Sequence, residues 1–365
     1  MFLNRIRRSL PTAILQSKEI ITSNSQNSQQ IRCLYSGEEL GVKKYQDSRK
    51  VVEHAIANHT FFKTQFRKQL MNVEYSLTHL EYGLKNLLHI MNNNDNDISI
   101  LRDALKTLIH KQNEYEGDKY RFDTVVMRAF HFLNMPDQAI EFFEDDALGQ
   151  LFNKVTSYQI LLDLLYENER YADVLRIYGN LTMYGRLHKN KYIDVIVLAT
   201  YYRLNTPEAL ERAYALWSQI TETGNKVQFR KSRTFVAGLA VKQNRPELAL
   251  KILEGETTYV TMRHIKLLAW AQLGQFDKIF EMFRIVLRRN QDEKKYSPET
   301  SIAVLNDIEK SLKMKGSEDD RKQFRALREK IESMELVTKK SLDDLLCSPF
   351  PVLPQAHIYH KRTAN

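Results

Sequence analysis

The chain has 365 residues with a formal net charge of +9, and 43% of its residues are hydrophobic. Only 12 glycines and 8 prolines are present, which favours helices over sheet and leaves no glycine-rich phosphate-binding loop. No stretch approaches the roughly 20 consecutive apolar residues that a transmembrane helix needs. Composition therefore argues against a Walker-type nucleotide site and against a membrane-spanning body.

The first 36 residues differ in composition from the rest of the chain. They contain five basic residues and one acid, a net charge of +4, followed by a stretch rich in Ser, Gln and Asn. An arginine-rich, serine-rich and acid-poor amphipathic segment is typical of a mitochondrial transit peptide. The segment from Arg32 to Ser36 resembles an arginine-directed processing site, so we expect cleavage near Tyr35. The alternatives are a disordered basic tail and a secretory signal, for which the apolar stretch 9–15 is too short.

Removal of this leader changes the charge and the cysteine content. Of the net charge of +9, +5 remains on residues 37–365. This charge is compatible with a polyanionic partner without requiring one. Cys347 is then the only cysteine left, and one cysteine cannot form an internal disulfide, so we expect a reducing compartment.

Residues 37–117 are predicted to form an N-terminal helical region. Apolar residues at helical spacing predict one or two helices within 49–91, and the Asn/Asp run 92–97 is expected to be a solvated linker. An amphipathic helix is predicted from Ile98 to Glu114.

A repeat of about 35 residues occupies the segment 118–296. Each copy has an apolar helix, a polar turn, and a second helix that opens with a small or apolar residue. The first residues of the second helices are Ala139, Val174, Ala213, Ala249 and Ile279. One helix pair cannot bury its apolar stripe alone, so neighbouring pairs are expected to stack into a superhelix.

The turns between the two helices share a polar lead-in. In three of them an Asn or Thr stands one or two residues before Pro-Glu or Pro-Asp, as at Thr206, which predicts an N-cap with proline in the first turn. After the last repeat, residues 297–336 are expected to form a C-terminal helical cap, and 337–365 a flexible tail.

The repeat length and local sequence resemble the pentatricopeptide repeat. The clearest copy starts with V-T-S-Y-Q-I-L-L at Val155 and continues through Val174-Leu175 to Met183-Tyr184-Gly185. The tetratricopeptide pattern of Trp, Leu-Gly and Tyr is not met, although its repeat has nearly the same length. Residues 40–335, with the leader, resemble the pentatricopeptide repeat domain protein 2 family.

This resemblance implies an all-α fold, a right-handed α-solenoid of stacked helix-turn-helix repeats. It also implies a mitochondrial matrix location and a role in mitochondrial RNA maturation that supports expression of the respiratory chain. The periodicity alone indicates only a helical solenoid.

Catalytic and metal motifs do not stand out, so we expect no enzyme activity, no cofactor and no metal. The zinc-deaminase pairing of H-x-E with P-C-x-x-C is absent. His54 and His59 are five residues apart, the wrong spacing for one helical face. The acid pairs at Asp145, Asp319 and Asp343 fall in turns or a charged helix, where solvation explains them better than a two-metal nuclease does.

Basic residues cluster near the repeat junctions, close to aromatic residues. Cations paired with phosphates and rings stacked on bases suit single-stranded RNA. The alternative is an ordinary charged solenoid surface with helix ends capped by cations. The candidate phosphate contacts are Arg186, Lys189, Lys191, Lys226, Arg230, Lys231, Arg233, Arg288 and Arg289.

The family resemblance also implies base-reading positions, because a polar side chain early in each first helix reads a base in these repeats. Counting 15 residues back from the second-helix positions gives Thr124, Gln159, Thr234 and His264, and a shift for the insertion in the longer third repeat gives Asp194. Thr fits the usual choice of the family, whereas Gln and His do not, so we expect recognition that relies partly on backbone contacts.

The sequence therefore predicts an RNA-binding scaffold that protects or presents a mitochondrial transcript. Further expected partners are RNA-processing enzymes or the mitoribosome, with no small-molecule substrate. The alternative is a protein-binding helical scaffold, a ribosome-associated or respiratory assembly factor. An RNA groove should be continuously positive, whereas a peptide groove should expose apolar and mixed-charge residues.

Overall fold

A computed structural model of the chain describes residues 34–72, 74–113, 120–187, 190–222, 230–255, 259–289 and 299–349. Within these ranges the fold is almost entirely helical, and none of the helices has the length and apolar character needed to cross a bilayer. The predicted leader, apart from residues 34–36, and residues 350–365 of the predicted tail lie outside the described residues.

The N-terminal region contains four helices. They are α1 (Val42–Ala55), α2 (His59–Leu70), α3 (Leu77–Ile90) and α4 (Asp95–Asn113). Leucines at helical spacing on α3, Leu80, Leu84, Leu87 and Leu88, are fully buried. Gly83 lies among them because a Cβ there would stand 2.2 Å from Cε2 of Phe66 on α2. A glycine thus permits close packing of α2 on α3.

Five helix pairs follow. Their bounds are α5 (Asp123–Phe132) and α6 (Pro136–Glu144), α7 (Val155–Glu167) and α8 (Tyr171–Met183), α9 (Lys191–Leu204) and α10 (Pro207–Glu222), α11 (Arg230–Lys242) and α12 (Pro246–Ile252), and α13 (Val260–Leu273) and α14 (Phe276–Arg289). A 3₁₀ turn at Gly149–Leu151 precedes α7. The five residues predicted to open the second helices lie in α6, α8, α10, α12 and α14, and each is fully buried. The predicted all-α solenoid of stacked helix pairs is confirmed.

The turn inside each pair uses a left-handed residue at the same place in the repeat. These residues are Asn134, Glu169, Asn205, Asn244 and Gly274, with φ between 49° and 71°. Asn and Gly tolerate this conformation best, and it ends the first helix. The N-cap prediction holds for Thr206, whose Oγ1 accepts a hydrogen bond from the Ala209 amide at 3.1 Å. Asn134, Asn205 and Asn244 instead end the preceding helix in the left-handed conformation.

The first helices of the pairs (α5, α7, α9, α11 and α13) form one layer, named the inner layer here, in which each helix contacts the next. Contacts between equivalent ends show that neighbours run in the same direction. At the N-terminal ends, Lys154 Nζ lies 3.9 Å from Asp123 Oδ1. At the C-terminal ends, Asn168 donates to Asn134 at 2.7 Å. The N-termini of the inner layer therefore share one edge.

A sixth pair, α15 (Ile302–Lys315) and α16 (Glu318–Ser333), forms the region predicted as the C-terminal cap. α15 packs on α13, and α16 packs on α14. Strand β1 (Thr300–Ser301) pairs in parallel with β2 (Val337–Thr338). A short helix, α17 (Leu342–Leu346), follows β2.

Candidate functional site

The inner layer is buried on both sides, and this decides which predicted site residues reach solvent. In α9, every residue from Ile193 to Tyr202 is buried, and α11 is buried from Thr234 to Val241. A helix that is buried all round must be covered on both faces. The second helices cover one face, and two segments from the ends of the described chain cover the other.

The C-terminal cover is α17, so the prediction that residues 337–365 form a flexible tail is wrong for 337–349. Leu346 is 1% exposed, and its Cδ1 lies 3.1 Å from where a Cβ on Gly238 of α11 would stand. The carboxylate of Asp343 pairs with Lys242 Nζ at 2.9 Å and accepts a hydrogen bond from Tyr202 Oη. Tyr166 Oη of α7 lies 3.8 Å from Cys347 Sγ.

Electrostatics hold the Asp343 carboxylate in its charged form. Burial alone would raise its pKa, but the nearby Lys242 ammonium and the Tyr202 hydroxyl bond offset burial, so the pKa lies below its usual range. Burial raises the pKa of the Cys347 thiol. Asp343, which the sequence predicted to be solvated, therefore anchors α17 on the inner layer.

The N-terminal cover is the segment 34–41, which includes the end of the predicted leader. Leu34 is fully buried and Tyr35 is 3% exposed. Tyr35 Oη donates to the carbonyl of Tyr192 on α9 at 2.7 Å, and Arg128 Nε of α5 donates to the Leu40 carbonyl at 2.8 Å. Tyr35, where we expect processing, thus packs as part of the fold.

Three predicted base-reading residues are buried in the inner layer. Asp194 is 4% exposed and accepts a hydrogen bond from Tyr178 Oη at 3.3 Å, and Thr234 is 2% exposed. His264 is fully buried, and its Nε2 accepts the Ser301 amide at 3.2 Å. Burial, together with the charge of Arg263, lowers the pKa of His264 to about 3. These side chains fix the fold and do not face solvent.

The other two base-reading candidates remain partly accessible. Thr124 lies in the first turn of α5 and Gln159 begins the second turn of α7, and both are half-buried. Both therefore lie at or near the N-terminal edge of the inner layer.

Several predicted phosphate contacts also lie at or near this edge, each over an aromatic ring. The Arg230 guanidinium stands 3.9 Å from the ring centre of Tyr259, and that of Arg233 stands 5.3 Å from Trp217. Lys191 Nζ is 5.1 Å from the ring of Tyr192. The cations are consequently held in place by ring faces.

Arg186 has a structural role as well. One guanidinium nitrogen donates to the Phe152 carbonyl at 2.9 Å, and the group lies 5.5 Å and 5.8 Å from the rings of Phe143 and Tyr158. It thereby holds the connection that leads into α7. Arg186, which the sequence predicted to be a phosphate contact, therefore also contributes to packing.

The remaining basic candidates are scattered. Lys231 Nζ donates to the Ser348 carbonyl and so helps to hold the C-terminal cover. Arg288 is exposed near the end of α14, and Arg289 ends that helix. Lys189 and Lys226 lie outside the described residues.

The tyrosines of the edge form a set that the sequence prediction missed. Tyr120, Tyr192 and Tyr259 are 41–42% exposed, and they lie at or just before the starts of α5, α9 and α13. Lys85 Nζ stands 3.8 Å from the Tyr120 ring. Next to Tyr120, a cleft of about 510 Å³ is lined by polar residues including Gln112, Asn113, Arg121, Gln150 and Asn153. The recurrence of Tyr at helix starts is the signal that could have revealed this set.

The stacked helix pairs define this chain as a helical repeat solenoid. Comparison with known proteins shows which repeat proteins it is similar to. No family model matches the chain. The chain is 25% identical over 328 residues to pentatricopeptide repeat-containing protein 2, mitochondrial, of Xenopus laevis, covering 82% of this chain and 83% of the relative. It is 25% identical over 283 residues to the Mus musculus protein of the same name, covering 76% and 73%.

The Homo sapiens protein of that name is 24% identical over 190 residues, and the match spans 52% of this chain and about half, 48%, of that relative. These comparisons confirm the resemblance to the pentatricopeptide repeat domain protein 2 family that the sequence predicted.

Proposed function

We propose that this chain is a mitochondrial RNA-binding repeat protein of the matrix. It supports the maturation, processing or stability of mitochondrial transcripts, and so respiratory-chain expression, without catalytic activity of its own. The family resemblance and the word mitochondrial in the names of the relatives support the location. The placement of cations and tyrosines along the N-terminal edge of the inner layer supports the RNA role.

The edge has the chemistry that single-stranded RNA requires. Helix N-termini carry partial positive charge and free amides, and several of them face the same side here. Arg230, Arg233 and Lys191 add full charges beside them. Half-exposed Tyr120, Tyr192 and Tyr259 offer ring faces on which bases can stack. RNA then follows the edge across the repeats, with its phosphates on the cations.

This arrangement replaces the predicted path along the first-helix face. That face is covered by α17 and the segment 34–41, and Asp194, Thr234 and His264 are buried. Because these three side chains are not at the surface, Thr124 and Gln159 are the predicted base-reading residues that can contact RNA at the edge. We therefore expect modest sequence preference and strong salt dependence.

The test measures binding of fluorescent single-stranded oligouridine to the full chain by fluorescence anisotropy at several salt concentrations. The double change Arg230→Glu and Arg233→Glu should weaken binding at least ten-fold. The slope of the logarithm of the binding constant against the logarithm of the salt concentration should also become shallower by about 1.4. Each phosphate contact on a single strand contributes about 0.7 to this slope, and two contacts are lost. The matched control is Lys322→Glu with Arg325→Glu, two exposed positions on α16 with the same charge change.

A stacking variant separates charge from ring contacts. Tyr259→Ala should cost about 1–3 kcal/mol of binding free energy if a base stacks on that ring. The ring is 42% exposed, so the fold should tolerate its removal. Equal losses in the edge double variant and the α16 control, with no effect of Tyr259→Ala, would contradict RNA binding at this edge.

One observation favours a second function, protein binding. The inner layer already holds a short helix, α17, whose Leu346 is buried and whose Asp343 pairs with Lys242. A partner helix with an acid and apolar residues at the same spacing would fit once α17 leaves. A fluorescent peptide of residues 341–349 should bind the full-length Leu346→Ala chain and should lose affinity when its own Asp343 becomes Lys. Equal binding of both peptides would exclude this mode.

A further inference from the structure

A cluster of one imidazole and two carboxylates links the inner-layer helices α5 and α7. His131 lies near the end of α5, and Asp163 and Glu167 lie one turn apart on α7. His131 Nε2 is 3.2 Å from Asp163 Oδ2 and 3.8 Å from Glu167 Oε2. One potential ligand atom from each residue lies within 4.8 Å of the others. The three residues thus converge on one point between two repeats.

The surroundings of Asp163 are unusual for a charged group. Asp163 is fully buried, and its Oδ1 has no hydrogen-bond partner. A buried carboxylate oxygen without a partner costs free energy that a salt bridge to one histidine does not fully offset. The residue is therefore incompletely satisfied by the protein atoms around it.

The chemistry of the three groups also suits a cation. Two carboxylates face a single imidazole. Two ionised carboxylates with a neutral imidazole would carry a charge of −2, which a divalent cation would balance.

We propose that His131, Asp163 and Glu167 bind one divalent transition-metal ion of the Zn²⁺ type. Zn²⁺ binds His nitrogen and carboxylate oxygen at about 2.0–2.2 Å, so tetrahedral ligand atoms stand about 3.4 Å apart. The separations of 3.2 Å and 3.8 Å around His131 are close to this value. An imidazole ligand favours Zn²⁺, Cu²⁺, Ni²⁺ or Fe²⁺ over Mg²⁺ and Ca²⁺, which prefer oxygen ligands only.

The site also has room for an outer ligand. The Glu167 side chain is 28% exposed, whereas those of Asp163 and His131 are 0% and 11% exposed. Water can therefore reach the metal from the Glu167 side and complete the coordination. A bound ion would join two consecutive repeats beneath the segment 34–41 and strengthen the packing of α5 on α7.

The experiment is calorimetric titration of the full chain, stripped of metal with a chelator, with Zn²⁺ alone. We expect one equivalent to bind and the melting temperature to rise with Zn²⁺ concentration. Glu167→Gln and His131→Gln should each weaken binding at least ten-fold. The matched control, His54→Gln, removes a histidine whose ring contacts a backbone carbonyl on α1 and should bind as the unchanged chain does.

Three outcomes separate the explanations. Loss of the bound equivalent in both cluster variants and not in the control supports the site. No binding by the stripped chain overturns it and leaves a metal-free ion pair between His131 and Asp163. Binding that survives in Glu167→Gln and His131→Gln also overturns it, because the ion must then be held elsewhere. Glu167 is half-buried, so its variant reports on binding even if changes at Asp163 prevent folding.

Discussion

Docking of α17 can be tested through the thiol of Cys347, which is fully buried under it. The perturbation is Leu346→Ala in a chain that also carries Cys33→Ser, so that Cys347 is the only thiol. Leu346 is 1% exposed, and full burial of a leucine contributes about 1.5–3 kcal/mol. The removed atoms cannot be replaced by neighbours from a five-residue helix, so the loss should be about 2 kcal/mol.

This loss translates into a rate of thiol modification. Modification of a buried thiol requires α17 to open, and opening becomes more frequent by ten-fold for each 1.4 kcal/mol. We therefore expect Cys347 to react about 30-fold faster with an aromatic disulfide reagent at neutral pH. The raised pKa of the thiol slows the reaction in the closed form further, because the thiolate is the reactive species.

The control is Leu345→Ala, the neighbouring leucine, which is only half-buried. It removes the same atoms from the same helix but should change the rate by no more than a few-fold. Circular dichroism would show that both variants keep their helices. Equal labelling rates for Leu346→Ala and Leu345→Ala would refute the docking of α17 on the inner layer.

Other expected outcomes concern packing and charge. Gly83→Ala would place a Cβ 2.2 Å from the Phe66 ring and should lower the free energy of unfolding by about 1–3 kcal/mol in urea denaturation. Asp97→Ala would leave the buried Lys63 ammonium, now 2.6 Å from that carboxylate, without its partner, and calorimetry should show a loss of about 3–5 kcal/mol. Because burial and Asp163 raise the pKa of Glu167 to about 7, the folded chain retains a proton that the unfolded chain releases above about pH 4.5. Stability of the metal-free protein should therefore fall from about pH 4.5 to 7, and urea titrations of Glu167→Gln should show a flatter profile.

The repeat architecture could be read from the sequence because it depends on local patterns. Ala139, Val174 and Ala213 recur at nearly constant spacing, and each occupies a buried position where its second helix meets the inner layer. Four of the five turns were recognisable because Asn or Gly marks the left-handed residue that ends a first helix, whereas Glu169 takes that place in the remaining turn. Periodicity and turn chemistry are short-range properties, so a single sequence displays them.

The site depends on contacts that no local pattern displays. Tyr166 and Cys347 are separated by 181 positions, and Tyr35 and Tyr192 by 157. The sequence offered one indirect sign: α9 is apolar all round, and such a helix needs cover on both sides. That sign would have placed Asp194 in the interior.

The cluster on α5 and α7 was missed for a related reason. Asp163 and Glu167 have the i, i+4 spacing that puts both on one helix face. His131 joins them only because consecutive inner helices run in the same direction, one repeat apart. Finding the cluster required comparison between repeats and not along one helix.

The most direct test of the RNA role is ultraviolet crosslinking in intact mitochondria, followed by mass spectrometry of the crosslinked peptides and sequencing of the RNA. RNA binding along the N-terminal edge predicts crosslinks at Tyr120, Tyr192 and Tyr259, and enrichment of a defined mitochondrial transcript. Both signals should be lost in the Arg230→Glu and Arg233→Glu chain and kept in the Lys322→Glu and Arg325→Glu chain. RNA recovery no better than for an unrelated matrix protein, or crosslinks confined to α16, would show that RNA does not bind at this edge.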